Sequence, residues 1–508
     1  MLRGGQAGLA GPSSTNLNDG APHCDESDAV CAFNLAAVVS RTELTNALRD
    51  AVPRSTAHAI LDAVCQQYSG DVDGSIRTLR HALQKADAAD RCAVADILAP
   101  ILVMRDRAEE RPEFDRLIEV LAEGGWAASA HSFRAMPAAL SGDRGEARRQ
   151  HDAAWTTLSE RTSKIERFRV LQRLARVSFL LHDYERALDL AASSAALCRG
   201  VGAWRAAAGS YSIMYLVHHE VTGDVPQADQ CVRLWAEAAR RSEDASFERA
   251  ALVAEFEIAV QLGDEERALA VDRTIKSRLL PEQYAEQFAY AYSSALLRGR
   301  GDLAGMRSIL QIVREVPTRT RGEWSLCTAL IALADAAESD DAAARVSFRS
   351  ASARLGRLRA SDAAHERRYR RLARAVLGGV GVMVGDDVRA RRILDARESQ
   401  AGEGEELLAT LTRADNADAA DPRVRGMAYV LREAWRVRRR GTVPGDLTNA
   451  EMTVLTLLGE GWSAGRIAAE TDRSVNTIYN HTRAILTKLD ASRAAEAVAR
   501  ARDLGILR

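Results

Sequence analysis

Asn476, Tyr479, Asn480, Arg483 and Thr487 recur at helical spacing and fall on one face of a single predicted helix. Such a face can read nucleic-acid bases: an Asn amide suits the N6/N7 edge of adenine, and an Arg fork suits the O6/N7 edge of guanine. Ser474, Thr477 and Lys488 bracket the same helix and suit phosphate oxygens, which fix register without carrying sequence information. Ser463 and Arg466, one predicted helix earlier, complete the candidate contact set. The plain alternative is a solvated polar helix face, and polar spacing alone favours it.

Positioning those side chains requires four short helices between Leu447 and Leu507. The first begins with a capping box in which Thr448 accepts from the backbone of Glu451 and the Glu451 carboxylate reaches back. Val454, Leu455 and Leu458 mark its buried face, and Gly459 and Gly461 end it. Ser463 caps a second helix with Ile467 and Ala468 inside, and Thr471 to Arg473 form the turn. Ser474 caps the third helix, whose Ile478, Ile485 and Leu489 point inward. Ser492 caps a fourth helix, apolar at Ala495, Val498 and Ala499, before Gly505. Two helices joined by a tight turn, the second polar outward, are what major-groove reading requires.

The joint pattern resembles the LuxR-type helix-turn-helix family across this whole module. The residues that carry the resemblance are Leu447-Thr448 with Glu451, Val454-Leu455, Gly459, Gly461-Trp462-Ser463, Ile467-Ala468, Ser474, Asn476-Thr477-Ile478, His481, Ile485, Lys488-Leu489 and Glu496-Ala497-Val498. The chain has only four lysines, and one of them, Lys488, falls where the family's helix ends in Lys-Leu. The resemblance implies a four-helix, wingless module that binds double-stranded promoter or operator DNA as a homodimer, with the fourth helix as the dimer seam. Packing of that helix against the first is the plain alternative.

Several positions depart from the family pattern. Tyr479 stands where a Lys or Arg is usual, Ala464-Gly465-Arg466 replaces a polar Asn-Lys-Glu, Thr471 and Arg473 replace apolar turn residues, and Ala494 replaces an Arg. Base preference therefore cannot be copied from relatives. Tyr479 could stack on a thymine methyl, bond a phosphate or weaken binding. Residues 445–508 hold eight Lys/Arg and eight Asp/Glu, so the module is not basic overall. Positive charge gathers locally at Arg473, Arg483, Lys488 and Arg493, and in the preceding run Arg432–Arg440, which reads equally as a solvated linker helix or a phosphate-contacting arm.

The 508-residue chain is 47% hydrophobic and 27% charged with a net charge of −1, so it can hold more than one domain and bulk charge names no partner. No apolar run approaches the roughly 18 residues that span a membrane. Residues 1–29 are Gly/Ser/Pro/Asn-rich without an apolar core and are expected to be a disordered lead rather than a signal peptide. Seven scattered cysteines without C-x-x-C suggest reduced thiols in a bacterial cytoplasm rather than a disulfide framework or a zinc site.

Residues 30–430 are Ala-, Leu- and Arg-rich, which predicts helix throughout and an all-α protein. A turn recurs: Ser69-Gly70-Asp71, Ser141-Gly142-Asp143, Leu181-His182-Asp183, Thr222-Gly223-Asp224, Leu262-Gly263-Asp264, Arg300-Gly301-Asp302 and Val384-Gly385-Asp386, with weaker copies at Arg105-Asp106 and Ser339-Asp340. The turns lie roughly 36 to 46 residues apart, the period of helix-hairpin solenoids. Gly would close one helix in the left-handed conformation and Asp would cap the next. The array resembles tetratricopeptide-type repeats, as in the segments that follow Asp183 and Asp264. That resemblance implies a curved solenoid of eight or nine hairpins whose groove holds a small-molecule inducer or a protein partner. Trp155, Trp204, Trp235 and Trp324 either line that groove or, the better expectation, plug seams between helices.

No G-x-x-x-x-G-K-[ST] occurs, so the nucleotide switch of the large ATP-dependent LuxR-family activators is not expected, and no cofactor is. Gly379-Val-Gly381-Val-Met-Val-Gly385 has the wrong spacing for a dinucleotide loop and reads as a helix end. His218-His219-Glu220 lacks the second histidine of H-E-x-x-H and reads as a surface helix. No nucleophile or carboxylate pair stands out, and no enzyme is expected. The organisation expected is a lead (1–29), a repeat sensor or interaction domain (30–430), a basic linker (431–445) and a DNA-binding domain (446–508). The function expected is that of a cytoplasmic, nucleoid-associated transcription regulator. The alternative is an interaction scaffold whose helix-turn-helix has degenerated.

Overall fold

A computed structural model of the chain describes residues 28–105, 107–158, 162–278, 288–315, 321–357, 364–394, 425–441, 447, 449–471, 473–489, 491–503, 506 and 507. Every regular element among them is helical, as composition and turn spacing predicted. The expected lead, 1–29, lies outside the described residues up to position 27; helix Asp28–Val38 begins there.

The recurring turns work by local chemistry. Gly70 sits at φ +84 and closes Thr56–Ser69, and Asp71 Oδ1 then accepts from Gly74 N at 2.7 Å to start Val72–Lys85. Gly142 and Asp143 repeat this between Ala127–Ser141 and Arg144–Thr157, with the Asp cap at 3.0 Å. Gly223, Gly263 and Gly385 are likewise left-handed, and Asp224, Asp264 and Asp386 accept from the amides of Gln227, Arg267 and Arg389. His182 holds the same conformation at φ +65, a cost of roughly 1 kcal/mol for a residue with a Cβ. Asp340 caps Asp341–Gly356 at 2.8 Å, whereas Asp106 lies outside the described residues. The Arg300-Gly301-Asp302 turn departs from the pattern, since Gly301 is not left-handed. Its Asp still caps, Asp302 Oδ1 accepting from Gly305 N at 2.8 Å, and Gly299 permits close packing there, since a Cβ on it would meet Met306 Sδ at 2.5 Å and Val430 at 3.2 Å.

The described residues divide into two compact units. The first comprises the described residues from 28 to 181, 189–210 and 238–246, and its apolar core includes Phe33, Leu44, Ile60, Leu79, Leu98, Leu117 and Phe133. Within it Asp96, only 1% exposed, pairs with Arg169 at 2.9 Å and with Arg173 at 3.3 Å. Arg173 also donates to Ser129 and Ser132 and lies over the Phe133 ring. Burial would raise the Asp96 carboxyl, but the Arg173 and Arg169 guanidiniums outweigh it and hold it below the usual carboxylate range. Trp204 is half-buried beneath the Arg241 guanidinium at 4.3 Å, while Trp155 is exposed.

The second unit comprises residues 182–188, 211–237 and the described residues from 247 onward. Its large core runs from Val253 to Ala434 and is centred on Arg321–Glu338 and Ala364–Met383. Gly381 is a helical contact point here, not a nucleotide loop: a Cβ on it would strike Phe348 and Ala390 at 2.8 Å. The basic segment expected as a linker from residue 431 is instead the second half of helix Arg425–Gly441. Met427, Ala428, Val430, Leu431 and Ala434 are buried in the core, and Arg438, 8% exposed, donates to the Ser339 carbonyl at 2.7 Å. Gly426 allows this docking, because a Cβ there would lie 2.6 Å from the Val260 carbonyl oxygen. The apolar stripe thus outweighs the arginines on the helix's other face.

His218-His219-Glu220 is not a surface helix. A π-helical turn, Val217–Thr222, buries His219 completely and stacks it on Tyr215 at 5.1 Å. Tyr215 Oη donates to buried Glu257 at 2.8 Å, and His219 Nε2 lies 3.5 Å from the same carboxylate. Trp235 is also buried, 5.9 Å from Tyr215, in a seam as expected. Trp324 is half-buried. Burial pushes the Cys198 and Cys327 thiols up to about 12, so neither is a nucleophile near neutral pH.

Candidate nucleic-acid interface

The C-terminal residues form four helices, Asn449–Gly459, Ala464–Glu470, Val475–Lys488 and Ala494–Asp503, around an apolar cluster of their own. Val454, Leu455, Ile467, Ala468, Ile478, Ile485 and Leu489 fill it, as spacing predicted. Leu458 is partly buried against it. Truncating either fully buried isoleucine, Ile478 or Ile485, to Ala would cost about 2–5 kcal/mol. Gly461 at φ +84 turns the chain after the first helix. Ser463 Oγ accepts from Arg466 N at 3.4 Å to start the second, and Ser474 Oγ accepts from Thr477 N at 3.0 Å to start the third.

One expected cap lies outside the described residues and one differs from expectation. Thr448 lies outside the described residues, and the Glu451 carboxylate accepts from Lys488 Nζ at 2.7 Å. Ser492 does not accept at the fourth helix; its N–H and hydroxyl both donate to Glu496, at 2.9 and 2.6 Å. Those two bonds hold the Glu496 carboxyl below its ordinary range. The fourth helix turns Ala497, Val498 and Ala501 into the cluster and leaves Ala495 and Ala499 exposed. Its inner face therefore packs within the module, and Val498 does not join an outer seam.

The structure brings the outward set together on helix Val475–Lys488. Asn476, Tyr479, Asn480, Arg483 and Thr487 are all exposed, Tyr479 at 61%. Thr487 Oγ1 donates to the Arg483 carbonyl at 3.0 Å, which turns its hydroxyl toward its own helix. The Thr477 and Ser474 hydroxyls lie 2.8 Å apart at the helix start, where the partial positive charge of the helix favours an anion. On the second helix Ser463 is exposed, and Arg466 is exposed with its guanidinium 3.8 Å from the Trp462 ring centroid. That stacking fixes the Arg466 plane and leaves its edge for a phosphate.

Lys488 is placed differently from the rest. Its ammonium is 27% exposed and tied to a carboxylate that is 7% exposed. It joins the third helix to the first, so it acts first as a structural cation. Arg473 lies beside His481, with Nη1 and Nε2 2.9 Å apart. Spacing missed one neighbour of the interface: Val475, 43% exposed, lies directly before Asn476 and one turn before Tyr479. An exposed Val at the start of such a helix suits a thymine methyl. Its position next to Ser474 was a readable signal.

Residues 446–501 match the family described as Bacterial regulatory proteins, luxR family, so the C-terminal module is a LuxR-type helix-turn-helix. No curated protein matches the chain. Among solved structures, the chain is similar to a Signal Transduction ATPase with Numerous Domains protein with a tetratricopeptide repeat sensor from Pyrococcus horikoshii, at 11% identity and a TM-score of 0.40. That likeness covers 78% of this chain and 65% of the other.

Proposed function

From a C-terminal module of the LuxR family, we propose that this chain is a DNA-binding transcription regulator. Helix Val475–Lys488 enters the major groove and reads bases with Val475, Asn476, Tyr479, Asn480 and Arg483. Ser463, Arg466, Ser474 and Thr477 hold phosphates, and Thr487 lies at the far edge. The observation that carries this reading is the alignment of Asn476, Tyr479, Asn480 and Arg483 on one exposed face of a helix whose other face, Ile478 and Ile485, is fully buried. Equal numbers of acidic and basic residues in the module favour modest affinity per copy, so two modules act together as a homodimer. Exposed Ala495 and Ala499 offer a close-packing seam. The helical array senses a ligand or protein partner and sets when two modules meet an operator, in the bacterial cytoplasm.

Selection of duplexes from a random library by the full chain tests this. The expected product is an inverted repeat with half-sites about one helical turn apart. Recovery of no enriched sequence would sink the reading. The Lys488–Glu451 pair favours a second one, an interaction scaffold with a degenerate module, because it occupies a cation otherwise free for phosphate. That reading predicts a stable protein complex and no enrichment of any duplex.

A further inference from the structure

The second unit holds an open cleft of about 360 Å³ lined by parts of three helices, Asp341–Gly356, Ala364–Met383 and Asp387–Leu394. Four guanidiniums line it, those of Arg349, Arg374, Arg389 and Arg392, beside an apolar wall that includes Leu355 and Ile393. By sequence these three helices carry eleven arginines and three acidic residues, in a chain whose net charge is −1. The Asp386 carboxylate lies 3.9 Å from Arg349 Nε at the edge of this cleft.

The cleft sits at a recurring turn. Gly385 and Asp386 reverse the chain between the last two helices, and Gly378 and Gly381 let those helices approach closely. Arg374 is half-buried on one wall, Arg389 is half-buried on the next, and Arg349 and Arg392 are exposed at the mouth. Helix packing therefore holds the guanidiniums near one another despite their repulsion. Arginine forks match the paired oxygens of phosphate and carboxylate, and every charged side chain among the described lining residues is an arginine. The volume lies within the range of small-ligand pockets and the apolar wall calls for a hydrocarbon body. A plain surface patch would lack both the concavity and that wall.

We propose that this cleft binds a small amphipathic oxyanion, a molecule with an apolar body and a phosphate or carboxylate group held by Arg349, Arg374, Arg389 and Arg392. The proposal deepens the reading of the array as a sensing part and rests on it only for the consequence at DNA.

Isothermal titration of the full chain with phenyl phosphate, and separately with phthalate, tests the site and distinguishes its two oxyanion classes. Saturable binding of either ligand is expected. Arg349→Ala and Arg392→Ala, both at exposed positions that leave the fold intact, are expected to weaken it at least tenfold. Arg199→Ala, an exposed arginine on another helix, should leave it unchanged. Saturation by neither ligand, or equal loss with Arg199→Ala, would overturn the site. A duplex titration with and without saturating ligand separates the two claims. Intact ligand binding with unchanged DNA affinity retires ligand control and keeps the cleft; DNA binding without ligand binding retires the cleft and keeps the regulator.

Discussion

Lys488 Nζ donates to Glu451 Oε2 at 2.7 Å, joining the end of helix Val475–Lys488 to the start of the module's first helix. Because the carboxylate is nearly buried, the pair trades a cation at the surface for a fixed angle between two helices. Stability and DNA affinity should therefore separate between Lys488 and Arg483. Lys488→Ala leaves a buried carboxylate without this partner and is expected to destabilise the module by about 1–3 kcal/mol. Arg483→Ala should leave the melting temperature unchanged and weaken DNA binding. Thermal melts and duplex titrations on both variants check this; equal melting temperatures would refute the structural role of Lys488.

Tyr479 is exposed in the middle of the helix face proposed to read DNA, and the proposal assigns its ring to a base edge. Tyr479→Ala should relax preference at one base position, at a cost of about 1–3 kcal/mol on the selected operator, with an unchanged salt slope. A uniform loss across all sequences, with the slope reduced by about 1, would assign Tyr479 to a phosphate instead.

Tyr215, His219 and Glu257 form a buried polar cluster in the second unit. Burial, and then the Glu257 charge, push the Tyr215 hydroxyl well above its ordinary range, so it stays a neutral donor. Tyr215→Phe removes that donor and is expected to cost about 1–3 kcal/mol. Urea unfolding monitored by helical circular dichroism would show a lower midpoint with an unchanged slope. An unshifted midpoint would mean that the hydrogen bond contributes nothing net.

Glu166 gives a pH signature in the first unit. Burial, and second the Asp96 charge, push its carboxyl up to about 7. The folded state then holds a proton that the unfolded chain has already released, so its share of stability is full below the ordinary Glu range and is lost as pH rises toward 7. Glu166→Gln should therefore stabilise the fold, and so raise the melting temperature, at pH 8 and not at pH 4, by roughly 3 kcal/mol at most. The same gain at both pH values would contradict the raised pKa.

Much of this architecture was legible because it rests on local rules. A left-handed Gly followed by a capping Asp needs only neighbouring residues, so Gly70-Asp71 and Gly263-Asp264 announce their turns without tertiary information. Ser463 and Ser474 mark their helices in the same way. The misreadings share a different cause: each depended on a partner far along the chain. Arg438, in the run that reads equally as a solvated linker helix or a phosphate-contacting arm, instead donates to the Ser339 carbonyl 99 positions away. His219 looked exposed because its burial depends on a π-helical turn and on Glu257. The Lys488–Glu451 pair, which spans 37 positions, likewise cannot be read from spacing. The arginines of the cleft, spread over residues 349 to 392, give no pattern in one dimension either.

The central claim is that helix Val475–Lys488 binds duplex DNA through the face carrying Asn476, Asn480 and Arg483. The most direct test is the salt dependence of duplex affinity for the full chain, with and without Arg483→Ala and Asn480→Ala. The account predicts a linear fall of log affinity with log salt, with a slope of about −3 or steeper, and a loss of at least tenfold on the selected operator in the double variant. Binding indifferent to salt, or unchanged in the double variant, would contradict it.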